Sequence, residues 1–302
     1  MYRQWLCYCL FVLISTPLWA EHQCDERGIW LQVLGSGGPE ITDQRASSGY
    51  LIWRDGKARV LIDMGGGSLL RFEQSGAQLN DLDVILLTHL HVDHSADLPY
   101  LIKASYFTGR DRDLPIYGPT GNHLMPATVE FVRSLFGPDG AFRYLSDYLN
   151  GSESYRLLPS NVTATGKTTQ LVLSTPAYKI TAVPVHHGPI PALAWRVELA
   201  GHSIVFSGDM NNDYDTLAGL AAETDLLVAH HAIAEQAGGV ARTLHMPPSV
   251  IGMIASRAKV KLLVLSHRMQ RTLGQEAHTT QLIKKHYQGP MVFAEDLQCF
   301  KL

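Results

Sequence analysis

The sequence of 302 residues carries little net charge, because 25 basic and 28 acidic side chains give a formal charge of −3. A slight acidic excess argues against a large surface that follows nucleic-acid phosphates, although it leaves room for a local basic patch. The sequence also has no repeat of fixed period and no clear linker between two halves. Residues 21–302 are therefore interpreted as one globular domain.

Long apolar runs are absent except at the N-terminus. A single basic residue, Arg3, precedes the apolar segment Trp5–Trp19, and Ala20 stands before a polar turn. This segment is short for a bilayer span and is typical of a secretory signal peptide, with an uncleaved anchor as the alternative. We expect residues 1–20 to be removed, the mature protein to be periplasmic or secreted, and no further membrane contact.

Cysteine is scarce, with four residues in the whole sequence. Cys7 and Cys9 lie in the predicted signal peptide, so the mature chain keeps Cys24 and Cys299, one near each end. In an oxidising compartment the two can pair and tie the termini together. Two unrelated thiols are the alternative, because a sequence does not show how close their Cα atoms lie.

Histidine and aspartate are concentrated directly after one apolar run. The predicted strand Val84–Leu87 leads into a loop that contains His89, His91, Asp93 and His94. In extended backbone the first two histidines point the same way, whereas the adjacent aspartate and histidine diverge. Imidazole nitrogens and carboxylate oxygens suit zinc and similar divalent ions. The spacing predicts that one short loop supplies ligands to two neighbouring metal ions.

Other apolar runs that are predicted strands also finish on His or Asp. They end at His187, Asp209 and His267, and a further run ends at the pair His230–His231. Side chains at the same ends of several strands converge on one rim of a sheet, where active sites of layered α/β proteins lie. Helices are predicted between the strands, one of them from Ser95 to Phe107. Residues 137–165 are irregular and form either a cover for the site or plain surface.

This ordered set of motifs resembles the metallo-β-lactamase-fold hydrolases over nearly all of the mature chain. Their His-x-His-x-Asp-His signature stands here as His89, His91, Asp93 and His94, and their later ligands match His187, Asp209 and His267. The resemblance implies an α/β fold, an αββα sandwich of two mixed sheets with helices on the outer faces. It also implies two divalent metal ions, zinc first, with manganese or iron as alternatives.

The resemblance gives each ligand a place. One metal takes His89, His91 and His187; the other takes Asp93, His94 and His267; Asp209 bridges them. Two cations about 3.5–4 Å apart lower the pKa of a shared water. The bridging hydroxide is the expected nucleophile, and Asp93 is a catalytic candidate that orients it or accepts its proton. His186 is the rival of His187, which we prefer because the family places the ligand directly before a glycine.

Within this superfamily the sequence is most similar to the branch of the tRNA 3′-processing endonucleases (tRNase Z) and the zinc arylsulfatases. The similarity rests on Gly35–Pro39 with Arg45, on Tyr117–Pro119, and on His245, which stands 22 residues before His267. In that branch a histidine at this place acts near the scissile ester oxygen. His245 is therefore a candidate general acid or anion stabiliser, with a surface or helix-capping histidine as the alternative.

Two departures from the tRNase pattern decide the functional expectation. Only 21 residues separate His187 from Asp209, where the familiar bacterial enzymes carry a long basic arm, and export would separate the protein from tRNA. We therefore expect an exported binuclear metal-dependent hydrolase of small-molecule esters, arylsulfatase- or phosphodiesterase-like, that does not act on nucleic acid. A homodimer is compatible with the sequence.

Several alternatives stay open at this point. They are a tRNase Z-like endoribonuclease, a lactonase or β-lactamase, and a non-catalytic binding protein on the same fold. His230 and His231 do not match the ligand set of the family. They are interpreted either as residues behind the ligands and in the pocket, or as a packed pair without a role.

Overall fold

The computed structural model describes Cys24 and residues 26–302, so the predicted signal peptide, residues 1–20, lies outside the described residues. The described chain forms two seven-stranded sheets that pack face to face, with helices outside them. This arrangement confirms the predicted αββα sandwich. Among the described residues, no helix is both long enough and apolar enough to cross a bilayer.

The first sheet contains β1 (Ile29–Gly35), β2 (Gly49–Arg54), β3 (Lys57–Met64), β4 (Val84–Leu86), β5 (Leu114–Pro119), β6 (Leu157–Val162) and β14 (Cys299–Lys301). Its strand order is β14-β1-β2-β3-β4-β5-β6. The pairs from β14 to β3 are antiparallel and those from β3 to β6 are parallel. The sheet is therefore mixed, and β4, which leads into the histidine-rich loop, lies inside it.

The second sheet contains β7 (Gln170–Ser174), β8 (Lys179–His187), β9 (Ile190–Leu199), β10 (His202–Phe206), β11 (Leu226–His230), β12 (Leu262–Ser266) and β13 (Met291–Phe293). Its strand order is β13-β12-β11-β10-β9-β8-β7. Strands β7 to β10 pair antiparallel, and β10 to β13 pair parallel. The stretch between His187 and Asp209 is occupied by β9, β10 and tight turns.

The helices are α1 (Ser68–Gln74), α2 (Val92–Ser95), α3 (Leu98–Ser105), α4 (Thr128–Phe136), α5 (Asp147–Asn150), α6 (Leu217–Leu220), α7 (Gly239–Leu244), α8 (Pro248–Arg257) and α9 (Glu276–Lys284). Alternate residues of one strand face different layers, because successive side chains point to opposite sides of a sheet. Ile52 of β2 packs between the two sheets, whereas its neighbour Leu51 packs under α3 and α4. Helices α8 and α9 cover the second sheet in the same way.

The helix predicted from Ser95 to Phe107 corresponds to α3, which begins at Leu98, and Ser95 is the last residue of the separate helix α2. The break lies at Asp97, whose backbone N–H donates to the Met64 carbonyl and whose carboxylate accepts from the Leu69 N–H at 2.9 Å. Pro99 follows in the first turn of α3, where its missing N–H is harmless. Asp97 therefore links the chain after the ligand loop to β3 and α1 instead of continuing one helix.

Residues 137–165 contain α5 and β6 and belong to the fold, so the interpretation of this segment as irregular is wrong. Strand β6 pairs in parallel with β5 at the edge of the first sheet. Tyr148 and Tyr155 are buried in the core, and the Tyr155 hydroxyl lies 2.6 Å from Ser105 Oγ. The strand is hard to recognise in the sequence because it contains Pro159 and because its side chains do not alternate between buried and exposed.

A disulfide joins Cys24 to Cys299, across 275 positions of the sequence. It ties the start of the described chain to β14, which pairs with β1. Cleavage of the predicted signal peptide and the periplasmic or secreted location stay predictions.

The disulfide is expected to contribute about 2–4 kcal/mol to the free energy of unfolding, because it restricts the unfolded chain. Reduction should therefore lower the melting temperature by roughly 5–10 °C in a domain of this size. Differential scanning fluorimetry with and without reductant measures this change. The variant C24S/C299S should melt at the lower temperature and be insensitive to reductant. An unchanged melting temperature under full reduction would contradict the expectation.

Candidate metal centre

The predicted ligands meet at one edge of the sandwich. His89 and His91 lie in the loop after β4, and Asp93 and His94 lie in α2. The others follow or end strands of the second sheet: His187, Asp209 and His267. Each of the seven has a side-chain nitrogen or oxygen within 3.5 Å of another member. The structure thus brings together all seven residues that the sequence singles out.

The first cluster consists of three imidazoles. His91 Nδ1 lies 3.0 Å from His89 Nε2 and 3.4 Å from His187 Nε2. Burial lowers the pKa of each of these three histidines. Neutral imidazoles have the free lone pair that a divalent cation needs.

The second cluster is built around the Asp93 carboxylate. Its Oδ2 lies 3.2 Å from His267 Nε2 and 3.5 Å from His94 Nε2. His94 Nε2 is fully buried and has no hydrogen-bond partner among the described residues. Burial lowers the pKa of His267, but Asp209 and Asp93 outweigh it and raise that pKa to about 9. This cluster favours positive charge, and a buried nitrogen without a partner fits a metal ligand.

Asp209 lies between the clusters. Its Oδ2 is 3.7 Å from His187 Nε2, 3.7 Å from His94 Nε2 and 3.9 Å from His89 Nε2. Burial raises the pKa of Asp209, but the charge of His267 and the hydrogen bonds from His230 and His267 hold it well below its ordinary range. One ionised oxygen therefore faces ligands of both clusters, as a bridging carboxylate would.

The outer nitrogens of the histidine rings are held by other parts of the protein. His94 Nδ1 lies 2.8 Å from Asp63 Oδ2, His187 Nδ1 lies 2.9 Å from the Leu244 carbonyl, and His89 Nδ1 lies 3.1 Å from Thr88 Oγ1. Such contacts fix the ring orientation and leave Nε2 for a metal. The site is preorganised by the fold.

Asp63 is a functional residue that sequence reasoning missed. It ends β3 with a positive φ of 53°, and its carboxylate accepts the Thr88 backbone N–H and hydroxyl, each at 2.7 Å. The same carboxylate contacts His94. The signal in the sequence was an acidic residue at the end of an apolar strand, which is the pattern that identified the ligands.

The glycine-rich loop Gly35–Pro39 allows a close approach of backbone to His267. A Cβ on Gly38 would lie 2.8 Å from His267 Cε1, which is closer than real side chains come. The His267 backbone is itself in the left-handed region, with φ of 54°. Glycine at position 38 therefore makes room for the ligand ring.

His245 lies on the wall of a cavity of about 350 Å³ that opens over both clusters. Its Nδ1 is buried, lies 3.8 Å from Asp209 Oδ2 and has no hydrogen-bond partner in the described part of the chain. Burial lowers its pKa to about 3, so the imidazole is neutral near pH 7. Its position favours a role in the site over a surface or helix-capping role.

The other three histidines considered in the sequence differ in whether they contact the site. His230 Nδ1 lies 2.7 Å from Asp209 Oδ1, so this residue supports the bridging carboxylate. His231 does not contact the cluster: its Nε2 lies 3.4 Å from Thr279 Oγ1. His186 is partly exposed, 3.5 Å from Asp213, and stays outside the cluster that contains His187.

The comparison with protein families gives a match to the beta-lactamase superfamily domain over residues 58–268. Ribonuclease Z of Mycobacterium sp. (strain KMS) is 31% identical over 261 residues, which cover 82% of this chain and 87% of that protein. Ribonuclease Z of Mycobacterium bovis (strain BCG / Pasteur 1173P2) is 29% identical over 280 residues, which cover 88% and 96%.

Solved structures show the same fold. The metallo-beta-lactamase fold protein YhfI from Bacillus subtilis superposes with a TM-score of 0.71 at 22% identity, covering 90% of this chain and 98% of that one. Human tRNase Z, short form, superposes with a TM-score of 0.69 at 20% identity, with the same coverage.

These relatives correct two expectations. The main functional prediction, an arylsulfatase- or phosphodiesterase-like hydrolase of small-molecule esters, is wrong in its substrate, because these curated relatives are ribonucleases Z. The expectation that nucleic acid is not a partner is wrong for the same reason. It relied on the missing basic arm between His187 and Asp209, on the predicted export and on the net charge of the whole chain. The net charge says little about the charge inside one pocket. The exported location stays a prediction. The alternative, a tRNase Z-like enzyme, is better supported.

All seven residues of the two clusters lie within the matched domain, residues 58–268. The ribonuclease relatives align with most of the chain. The chain belongs to the beta-lactamase superfamily of metal-dependent hydrolases, in the branch that contains the ribonucleases Z.

Proposed function

We propose that this chain is a two-metal phosphodiesterase that cleaves RNA. The observation that carries the proposal is the convergence of two ligand clusters on Asp209 at the base of one open cavity. The similarity to ribonucleases Z over most of the chain supports RNA as the substrate class.

The donor set fits two divalent cations. We assign His89, His91 and His187 to one, Asp93, His94 and His267 to the other, and Asp209 to both. The nitrogen-rich first cluster favours zinc, with manganese and iron as alternatives. When bound, two cations activate a water and neutralise charge on a phosphodiester during displacement.

Asp93 is proposed as the proton acceptor of the site. Burial raises its pKa, but the charges of His94 and His267 outweigh burial and hold the pKa well below its ordinary range. The carboxylate is therefore ionised at neutral pH and lines the cavity. An ionised carboxylate at this place can orient an attacking water and accept its proton.

His245 is proposed to stabilise the anionic substrate. A neutral imidazole is a weak proton donor, but its N–H can hydrogen-bond to a phosphate or leaving-group oxygen. Its place on the cavity wall beside Asp209 and His267 brings it to the reacting centre. Anion stabilisation is therefore favoured over general acid catalysis for this residue.

Arg271 is proposed to anchor the substrate phosphate. Among the described residues that line the cavity, it is the one arginine or lysine. Its Nε donates to the Ala232 carbonyl at 2.6 Å and its Nη2 contacts Met269 Sδ at 3.1 Å. A guanidinium fixed in this way suits a phosphodiester anion.

The proposed function is tested with purified, zinc-loaded protein on a short end-labelled RNA with a structured 5′ part and a single-stranded 3′ extension. We expect cleavage of the RNA, little cleavage of the matched DNA, and none with the variant H89A. An aryl phosphodiester and an aryl sulfate are assayed in parallel. Turnover of the sulfate without cleavage of RNA, at full metal occupancy, would contradict the proposal.

Replacing Arg271 by Ala should raise KM for RNA by about 10-fold, because a hydrogen bond to a charged group contributes about 1.5–3 kcal/mol. The value of kcat should change much less, since the metal ligands stay in place. The salt dependence of KM should also weaken.

R271K, which keeps the charge, should recover part of the affinity. R257A is the matched control, because Arg257 is exposed on α8 and pairs with Asp215. A loss in kcat with unchanged KM would argue against an anchoring role for Arg271.

Export is proposed on separate grounds. A disulfide between Cys24 and Cys299 is typical of an oxidising compartment, and residues 1–20 have the pattern of a signal peptide. An exported enzyme would meet RNA outside the cytoplasm. Cell fractionation with N-terminal sequencing tests this, and a full-length cytoplasmic product would contradict it.

A further inference from the structure

A buried chain of polar groups lies behind the bridging carboxylate. His230 Nδ1 is 2.7 Å from Asp209 Oδ1, and His230 Nε2 is 3.0 Å from the Tyr50 hydroxyl. The Tyr50 hydroxyl also lies 2.9 Å from Ser266 Oγ. All four residues are almost fully buried. Because Tyr50 belongs to β2 and His230 to β11, this series of polar contacts connects one sheet to the other.

The two oxygens of Asp209 therefore have different environments. Oδ1 accepts from His230 Nδ1, since an ionised carboxylate can only accept a hydrogen bond. Oδ2 faces His89, His94 and His187 at 3.7–3.9 Å. Oδ1 is held from behind by His230 and also lies 3.3 Å from His267 Nε2 of the second cluster, whereas Oδ2 faces ligands of both clusters.

We propose that His230 is a positioning residue that holds Asp209 in its bridging orientation, with Tyr50 and Ser266 as its support. This rests on the proposed two-metal site. His230 belongs to a group with His94, Asp209 and His267 whose ligand atoms lie within 4.8 Å of one another. It is nevertheless not assigned as a ligand, because both of its ring nitrogens are engaged by other groups.

The backbone of His230 strengthens the assignment. Its N–H donates to Ser207 Oγ at 3.0 Å, two residues before Asp209, so the histidine is fixed both to the carboxylate and to the segment that carries it. Its neighbour His231, equally buried, lies near Thr279 and Phe293 and contacts no predicted ligand. The two adjacent histidines therefore form a matched pair for an experiment.

The test measures metal binding, which needs no substrate. Zinc stoichiometry and affinity are determined by chelator competition for the wild-type protein and the variants H230A, H230N, Y50F and H231N. Hydrogen-bond partners of metal ligands typically change metal affinity by 10–100-fold, and we expect H230A to weaken zinc binding by about that factor.

H230N should recover part of the affinity, because its amide N–H can take the place of Nδ1–H, and Y50F should lose less than H230A. H231N should bind zinc as the wild-type protein does. Melting temperatures show which variants fold, and Y50F keeps the test available if H230A does not fold.

Three outcomes would overturn the proposal. The first is wild-type zinc affinity in H230A and Y50F. The second is an equal loss in H231N, which would indicate general damage to the core. The third is loss of one whole zinc in H230A without recovery in H230N, which would make His230 a ligand. Absence of RNA cleavage would refute the proposed function, whereas the zinc affinities of the variants would still test the role of His230.

Discussion

Replacing Asp209 by Asn is expected to lower kcat for RNA cleavage by on the order of 10³-fold and to remove at least one metal ion from the protein. The variant keeps the shape of the side chain but has one acceptor oxygen and no charge. If that oxygen meets His230, the amide NH2 faces the two clusters. If that oxygen faces the clusters, the amide NH2 lies against the N–H of His230, and two donors then face each other. Neither arrangement satisfies both sides.

The measurement combines single-turnover RNA cleavage with metal analysis of the same preparation. D213N is the control, because Asp213 is an exposed carboxylate in the loop that follows Asp209, where it accepts from Asn211 Nδ2 and lies 3.5 Å from His186, outside the two clusters. It should keep both metals and nearly full activity. Retention of two metals by D209N, with activity within tenfold of the wild type, would show that Asp209 does not bridge.

The seven predicted ligands could be selected from the sequence because much of their pattern is local. His89, His91, Asp93 and His94 lie within six positions after one strand, and strand polarity places the later ligands at the same rim. The sandwich follows from the same alternation of strands and helices. Neither inference requires knowledge of which side chains touch.

The contacts of the supporting residues could not be predicted, because their partners are distant in sequence. Asp63 contacts a histidine 31 positions later, and His230 contacts an aspartate 21 positions earlier. Each contact depends on strand neighbours that only the folded sheet defines. Strand β6 was missed for another reason, since its burial at a sheet edge lacks alternation.

The choice of substrate class failed because the site residues do not encode it. Clusters of His and Asp around two metals serve several ester chemistries. The net charge of −3 is a property of the whole surface, whereas the cavity holds Arg271 beside His245. A local cation matters more for a bound phosphate than an average over the chain does.

Removal of the metals should make stability depend strongly on pH. Without metal, burial lowers the pKa of His267 but Asp209 and Asp93 raise it to about 9, above the ordinary 6.5. Its contribution to stability is therefore full below pH 6.5 and is lost as the pH rises through 9. Burial lowers the pKa of His230 to about 4 and of His245 to about 3. Their contribution is full above pH 6.5 and is lost as the pH falls towards those values.

The metal-free protein should therefore melt at its highest temperature near pH 6.5 and at lower temperatures on both sides. Zinc takes the place of the protons that the carboxylates otherwise attract. Its addition should therefore raise the melting temperature most at pH 8–9. The increase should be smallest at pH 5, because protons compete there for the ligands. Scanning fluorimetry in chelator and then in zinc, from pH 5 to 9, measures both effects. H267Q should flatten the alkaline side of the metal-free curve, because it removes the group whose proton is lost there. A metal-free melting temperature that stays constant from pH 6.5 to 9 would mean that the carboxylates of this site do not attract positive charge, and the metal assignment would lose its electrostatic basis.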